Sequence, residues 1–475
     1  MKSKSLLPVE FMRRNFILPS GDRKFYITLK TPFYVLEDLR FSLGDFETEF
    51  VDEEVFNEKM EEFLSSIDSR IEEEEGIETP FSEDLLSGSD APIIQLLNSI
   101  FIKAIRVNAS DIHFEPYERE IVVKFRLDGI LHEITKIPSG TYQKVVSRIK
   151  VISRLNVAEK RLPQDGRIGV RIGNKQVDMR VSTLPTVFGE RVVVRLLDKS
   201  HKVLTLEELG FSGRDYEIFK SIITKPHGLI LVTGPTGSGK STTLYAALRK
   251  IWVPGINILT VEDPVEYQIE GINQVQVNPK IGLTFAAGLR SILRQDPDVV
   301  MIGEIRDLET AEIAVRASMT GHLVLSTLHT NDAPSSIARI TDMGIEPFLI
   351  ASSLECVLAQ RLVRRICSKC AYKYKPSEQE REIICRYLDD AVPEYLVKGK
   401  GCESCLGTGY SGRIGIYQLM RVDEEMRGVI SKTSDTEVIR NVAIEKGMKT
   451  LFQDGLEKAI LGITTLEEVL QVSRE

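Results

Sequence analysis

The stretch Gly228-Leu-Ile-Leu-Val-Thr-Gly234-Pro235-Thr236-Gly237-Ser238-Gly239-Lys240-Ser241-Thr242-Thr-Leu-Tyr-Ala-Ala-Leu-Arg249 decides the fold. Its opening, Leu229–Val232, is a short apolar run that predicts a buried strand. The glycines that follow let the backbone curl, so that successive N–H groups point inward at the positive end of a helix dipole. Thr242 onward continues as a helix. Gly234 through Ser241 matches the phosphate-binding loop pattern, and a strand before with a helix after is the context that pattern requires. In this reading the loop Gly234–Thr242 cradles the phosphates of ATP. Lys240 places a point charge on the β- and γ-phosphates, and the Ser241 hydroxyl is a Mg²⁺ ligand. A chance glycine loop is the competing reading, and the strand and helix on either side argue against it.

Working outward, Ile256–Val261, Val299–Ile302 and Leu323–Ser326 are further buried strands with helix-length segments between them. Strands alternating with helices imply an α/β fold with a largely parallel, three-layer sheet. In such a sheet the carboxyl ends of the strands line the ligand crevice. Two acidic clusters follow strands and should face the nucleotide: Glu262-Asp263-Pro264-Val-Glu266 and Glu304-Ile-Arg306-Asp307. ATP hydrolysis needs one carboxylate to act on the attacking water and another to steady the metal shell. Glu262 is assigned as the base and Glu304 as the metal-side carboxylate. Helix capping or solvation is the plainer alternative, and it weighs more on Asp263 and Glu266. His322 and His329 bracket the strand that starts at Leu323 and are candidate catalytic residues, although most histidines are simply hydrogen-bonded in place.

The chain has 475 residues, so several domains are expected, and 42% hydrophobic residues supply several cores. No stretch reaches the roughly 18–20 apolar residues needed to span a bilayer. The Met1-Lys-Ser-Lys-Ser-Leu-Leu-Pro start lacks an apolar core and cleavage site, so a cytoplasmic location is expected, with membrane contact peripheral or through a partner. A net charge of −8 argues against a nucleic-acid coat, and no nucleic-acid partner is expected. Residues 1–66 read as a small α/β module and 67–91, with Glu72–Glu75, as a flexible acidic linker. Residues 92–205 read as a second α/β domain, opening on a helix with apolar positions Ile93, Leu96, Leu97, Ile100, Phe101 and Ala104. Residues 206–475 carry the phosphate-binding core, with paired cysteines in 366–415 and a helical region over 422–475. Thr465-Leu-Glu-Glu468 fits a capping box.

Cys367-x-x-Cys370 and Cys402-x-x-Cys405 offer four thiolates for a closed tetrahedral Zn²⁺ site, which is structural because no position stays open. A disulfide reading fits a cytoplasmic chain poorly. Cys385 lacks a partner at ligand spacing, and Cys356 reads as core.

With these segments in hand, the chain resembles the secretion ATPases of the type II secretion and type IV pilus family. Four boxes carry the resemblance: the loop at 234–241, the acidic box Glu262–Glu266, Met301-Ile-Gly-Glu304-Ile-Arg306-Asp307, and the histidine box from Gly321 to Thr330. It implies a RecA-like P-loop NTPase motor domain, a PAS-like domain over the second segment, and an inserted zinc module. It also implies a homohexamer that couples ATP turnover to a membrane-embedded assembly platform. Ala109-Ser-Asp-Ile-His113, Arg161-Leu-Pro-Gln-Asp165-Gly166-Arg167 and Asp178-Met-Arg180 are similar to stretches of the family's second amino-terminal domain. In relatives, arginines of that domain reach the γ-phosphate, and Arg167 and Arg180 are the matching candidates here; ordinary surface ion pairs are the alternative. Chain length and architecture favour the type II branch, with pseudopilus assembly and protein export as the work done. There, residues 1–66 would dock on the cytoplasmic part of an inner-membrane platform protein, and acidic phospholipid is a further candidate partner. A pilus-extension or DNA-uptake motor is the alternative within the family. A nucleic-acid translocase and a non-hydrolysing scaffold are the alternatives outside it.

Overall fold

The computed structural model describes residues 15–21, 24–32, 35–36, 46–53, 55–60, 82–84, 92–172, 175–197, 204–388 and 392–473. The chain divides into one unit of residues 1–102 with 168–176, and another of 103–167 with 177–475. In the first unit, β1 (Ile17–Gly21), β2 (Lys24–Ile27) and β3 (Glu47–Phe50) form one sheet, with Ile17, Phe25 and Ile27 buried on Val35. The linker expected over 67–91 lies outside the described residues, except that Ser82–Asp84 forms a strand, β4, parallel to Gly169–Arg171.

Helix α1 (Pro92–Arg106) opens on its proline, and its Leu97, Ile100, Phe101 and Ala104 are buried as their helical spacing requires. In the second unit, β5 (Asp111–Pro116), β6 (Glu120–Leu127) and β7 (Ile130–Pro138) form an antiparallel meander. Helix α2 (Ser139–Ile152) covers it through Tyr142, Val145, Val146 and Ile149. After β8 (Gln164–Ile172), strands β9 (Lys175–Thr186) and β10 (Gly189–Leu197) pair antiparallel, and β10 joins β5. The alternating apolar residues Ile112, Phe114, Val192 and Val194 are buried in this sheet.

The motor core follows α3 (Gly213–Ile223). Its strands are β11 (Gly228–Thr233), β12 (Ile258–Glu262), β13 (Asn273–Gln276), β14 (Val299–Ile302), β15 (Leu323–Leu328) and β16 (Leu354–Ile366). The sheet order is β13-β12-β14-β15-β11-β16, all parallel, closed by the antiparallel edge strand β19 (Tyr410–Arg421). Leu229 and Leu231 of β11 pack into one apolar layer, and Ile230 and Val232 pack into the other. A strand buried on both faces has to be apolar throughout, which is why β11 reads as a continuous run. One layer is completed by α3 and α4 (Lys240–Ile251). The other holds α5 (Phe285–Ile292), α6 (Leu308–Met319), α7 (Ser335–Asp342) and α8 (Pro347–Ser353). The expected α/β, RecA-like architecture is thus present.

Between β16 and β19 lie the hairpin β17 (Ala371–Tyr374) with β18 (Leu396–Gly399) and the intervening helix α9 (Glu378–Tyr387). The chain ends in α10 (Glu424–Ile430), α11 (Thr436–Glu445), α12 (Leu451–Ile460) and α13 (Leu466–Val472). Thr465 caps α13 by accepting the Glu468 amide, but the Glu468 carboxylate turns away to pair with Arg364, so only half of the expected capping box forms. A partly buried arginine in β16 competes for that carboxylate and wins it. No described helix is long and apolar enough to cross a membrane.

Candidate active site

Beyond Thr233 the chain turns at Gly234, Gly237 and Gly239, with φ of 149°, 80° and 85°. A Cβ on Gly234 would sit 2.4 Å from the Gln360 carbonyl oxygen and 2.6 Å from Ser238 Oγ, so the turn admits only glycine. Gly239 caps α4 and Lys240 opens it. Gln360, buried in β16, holds the loop from behind: its Nε2 donates to the Ser238 carbonyl at 2.7 Å, and its Oε1 accepts from Thr243 at 2.7 Å. Lys240 Nζ donates to the Gly234 and Pro235 carbonyls at 2.8 and 3.1 Å. Burial lowers its pKa, opposed by the nearby charge of Glu304.

A cavity of about 390 Å³ opens on this loop, and Ser241, Glu262, Glu266, Glu304 and His329 line it. Each acid arrives from the carboxyl edge of the parallel sheet. Glu262 ends β12 and is 4% exposed, with three donors on its carboxylate. These are the Tyr245 hydroxyl, the Thr260 hydroxyl at 2.5 Å and Gln274 Nε2 at 3.1 Å. Burial and the Glu262 charge push the Tyr245 phenol far up, so it stays a donor. Glu304 follows β14, ion-paired with Arg306 and 3.2 Å from His329 Nε2. Burial pushes its carboxyl up, but Arg306 and His329 outweigh that and hold it below the ordinary range. Glu266 is an exposed residue, but its carboxyl end lies in the cavity beside Ser241 and Glu262. That burial and the Glu262 charge raise its pKa, against the Ser241 hydroxyl bonded to it and the charge of Arg180.

Not every expected residue meets the cavity. His322 precedes β15, and its Nδ1 sits 3.0 Å from the Ala317 carbonyl. The six-residue strand between them puts it about 23 Å from His329, at about 3.3 Å per residue. Arg167 is exposed and outside the cavity lining, whereas Arg180 is near enough to act electrostatically on Glu266. The cysteines Cys367, Cys370, Cys402 and Cys405 meet in a separate cluster, all ligand atoms within 4.8 Å of one another. Sγ–Sγ separations are 3.9 Å for 367–402 and 370–405, and 3.7 Å for 402–405. A tetrahedron with metal–sulfur bonds of about 2.3 Å has edges of about 3.8 Å. Burial pushes the Cys405 thiol up, but the Cys402 and Gly409 amides on its sulfur outweigh that and bring it to about 6. Cys385 is exposed and outside the cluster, and Cys356 is fully buried.

A family model described as "Type II/IV secretion system protein" matches residues 87–471. The chain belongs to this family. It is an ATP-hydrolysing secretion ATPase in the sense of that family. It is 54% identical over 399 residues to the type II secretion system protein E of Pseudomonas aeruginosa, covering 84% of this chain and 79% of that one. With the type II secretion system protein E of Klebsiella pneumoniae it shares 45% identity over 489 residues, covering 99% and 97%. The solved structure of the Legionella pneumophila ATPase DotB superposes with a TM-score of 0.61 over 82% of this chain and 98% of that one, at 18% identity, a likeness of fold.

Several residues of this secretion ATPase site carry no motif of their own. Tyr245 and Gln274 hold Glu262, Gln360 buttresses the loop, and Arg413 lines the cavity. Arg413 is 3.8 Å from Asp128, whose carboxylate also accepts the Gly412 amide at 2.9 Å. Only Gln360 left a signal, as a lone amide directly after the apolar run Val357–Ala359.

Proposed function

We propose that this chain hydrolyses Mg·ATP in the 390 Å³ cavity and uses the energy as a homohexameric motor for pseudopilus assembly and protein export by type II secretion. The observation that carries this reading is the convergence of three carboxylates, Glu262, Glu266 and Glu304, on a glycine-shaped phosphate loop within one cavity. The buried Ser238 hydroxyl beside that loop has no protein partner, which suits a phosphate oxygen. Ser241 and Glu304 supply hard oxygen donors suited to Mg²⁺, which when bound neutralises phosphate charge. Glu262 takes a proton from water as the water oxygen bonds to the γ-phosphorus. The bond from that phosphorus to the bridging oxygen breaks, and ADP and phosphate leave. Lys240 neutralises the phosphates, His329 orients Glu304, and Arg180, with Arg167, brings positive charge toward the γ-phosphate. His322 has a structural role at the far end of its strand.

The four cysteines hold Zn²⁺ as a fold-stabilising clip, since their spacing fits a closed tetrahedron. Residues 1–66 dock on a cytoplasmic domain of the inner-membrane platform, 67–91 tether them, 92–205 form the PAS-like domain and 206–475 the motor. The enzyme works at the cytoplasmic face of the inner membrane through these partners, with acidic phospholipid as a further contact. Relatives named type II secretion system protein E, one matched over nearly its full length, support the choice of system.

The test is Mg·ATP turnover by the full chain beside a Lys240→Ala control, with complementation of a secretion-deficient strain. Turnover and export lost together in the control support the reading. Equal turnover in both proteins rejects the site, and rescue of piliation without export rejects the system.

A further inference from the structure

The loop after β15 is gripped at both ends. At its start, His329 faces Glu304, and the Thr330 amide donates to Thr233 Oγ1 at 2.8 Å, directly before the phosphate loop. At its end, Asp332 is 4% exposed. One Asp332 oxygen accepts the Ser335 amide at 2.8 Å, at the first residue of α7. The other is ion-paired with Arg440, from the middle of α11. Ile439 and Ala443 anchor α11 in the same apolar layer that backs β11 and β15. A helix of the C-terminal region therefore holds the loop that presents His329 to the cavity.

A second cavity of about 410 Å³ lies against this grip, lined by Asn331, Asp332, Ser335, Arg361, Arg440 and Leu451 among others. On that side the loop meets space: Ala333 is packed in the core with its amide on Gln418 Oε1, Arg361 donates to the Asn331 carbonyl, and Arg440 is the cation paired with the Asp332 carboxylate. Losing Arg440 would leave a buried carboxylate without its cation. The relief open to it is to swing toward the cavity and solvent, which draws His329 off Glu304.

We propose that Arg440 and Asp332 are positioning residues for ATP turnover: the C-terminal helices set the register of His329 against Glu304 through this pair. The inference rests on the ATPase reading above. It is tested on the full chain by kcat, KM for Mg·ATP and thermal midpoint for Arg440→Ala, Arg440→Lys, Asp332→Asn and the Asp332→Asn/Arg440→Ala double variant. Arg440→Ala should lower kcat about ten-fold with KM within about two-fold, because alignment is lost while the phosphate contacts stay. Arg440→Lys should recover most of the rate, and the double variant should be no slower than Arg440→Ala. A folded Arg440→Ala at the wild-type rate overturns the proposal, as does a lysine variant that stays slow while its midpoint falls with that of the alanine. If Arg440→Ala does not fold, Asp332→Asn decides: a wild-type rate overturns the proposal, and a slowed kcat at unchanged KM supports it. Wild-type turnover no higher than Lys240→Ala would instead overturn the ATPase reading and take this inference with it.

Discussion

Replacing Glu262 by glutamine keeps the shape of the residue and removes its charge, and its surroundings set the size of the effect. Three donors converge on the carboxylate, from Tyr245, Thr260 and Gln274. A glutamine oxygen in the Oε1 position can keep both the Thr260 and Gln274 donors, but its NH₂ must then face an acceptor where Tyr245 now donates. The Tyr245 hydroxyl can rotate to become one, so rearrangement costs about 1–2 kcal/mol instead of the full loss of charge-assisted bonds. The chemistry loses far more. A positioned general base contributes about 10²–10⁴-fold, or about 3–5 kcal/mol of barrier at about 1.4 kcal/mol per decade. Nucleotide affinity should hold within a few-fold, since Lys240 and the loop glycines are untouched. Phosphate release, binding of a fluorescent ATP analogue and a thermal melt together read all three quantities. Turnover above about a tenth of wild type would refute Glu262 as the base. Glu266→Gln, measured in parallel, then tests the neighbouring carboxylate, whose pKa burial and the Glu262 charge raise.

Gln360→Ala strands the Ser238 carbonyl and the Thr243 hydroxyl, at about 1–3 kcal/mol for each buried group. It should raise KM for ATP on the order of ten-fold with a smaller change in kcat, and an unchanged KM would show that the loop holds itself. Cys402→Ser should lose bound zinc and lower the thermal midpoint while nucleotide binding persists; elemental analysis showing full zinc would remove Cys402 from the ligand set. Arg306 and His329 hold the Glu304 carboxyl below its ordinary 4.5, so its contribution to stability is fully present above that pH and lost as pH falls through the lower folded value. Glu304→Gln should therefore flatten the acid limb of stability below pH 4.5, and parallel limbs in variant and wild type would contradict the pairing.

The phosphate loop was legible because phosphate chemistry dictates both its residues and its flanks: a strand must deliver the chain, glycines must turn it, and a helix must follow. The buried strands were legible for a related reason, since β11, β12, β14 and β15 lie under helices on both faces and can be nothing but apolar. The histidines show a rule applied to one box and not the next. Strand carboxyl ends line the crevice, so His329 after β15 belonged there and His322 before it did not. Tyr245, Gln274 and Gln360 stayed hidden because their partners are fixed by tertiary pairing. Glu468 likewise carries the capping-box signature, but Arg364, far away in sequence, sits within reach of it. Local spacing cannot weigh a competitor that only folding supplies.

The charge balance of the cavity ties these parts together. Its lining holds Glu262, Asp263, Glu266 and Glu304 against Lys240 and Arg413, so it carries excess negative charge before a polyanionic triphosphate arrives. Lys240 alone cannot offset both, and in a half-buried site the repulsion is poorly screened. Two remedies are built into the chain. One is the oxygen donor set beside Ser241, fit for a divalent cation, which is the largest local charge such a site can recruit. The other is arginine: Arg180 acts on Glu266, and Arg413, on the edge strand β19, lines the cavity 3.8 Å from Asp128. A site that needs added positive charge to accept its substrate makes nucleotide affinity depend on whether those arginines are in place. Binding then favours the arginines in that placement in return, because the coupling between two equilibria is reciprocal.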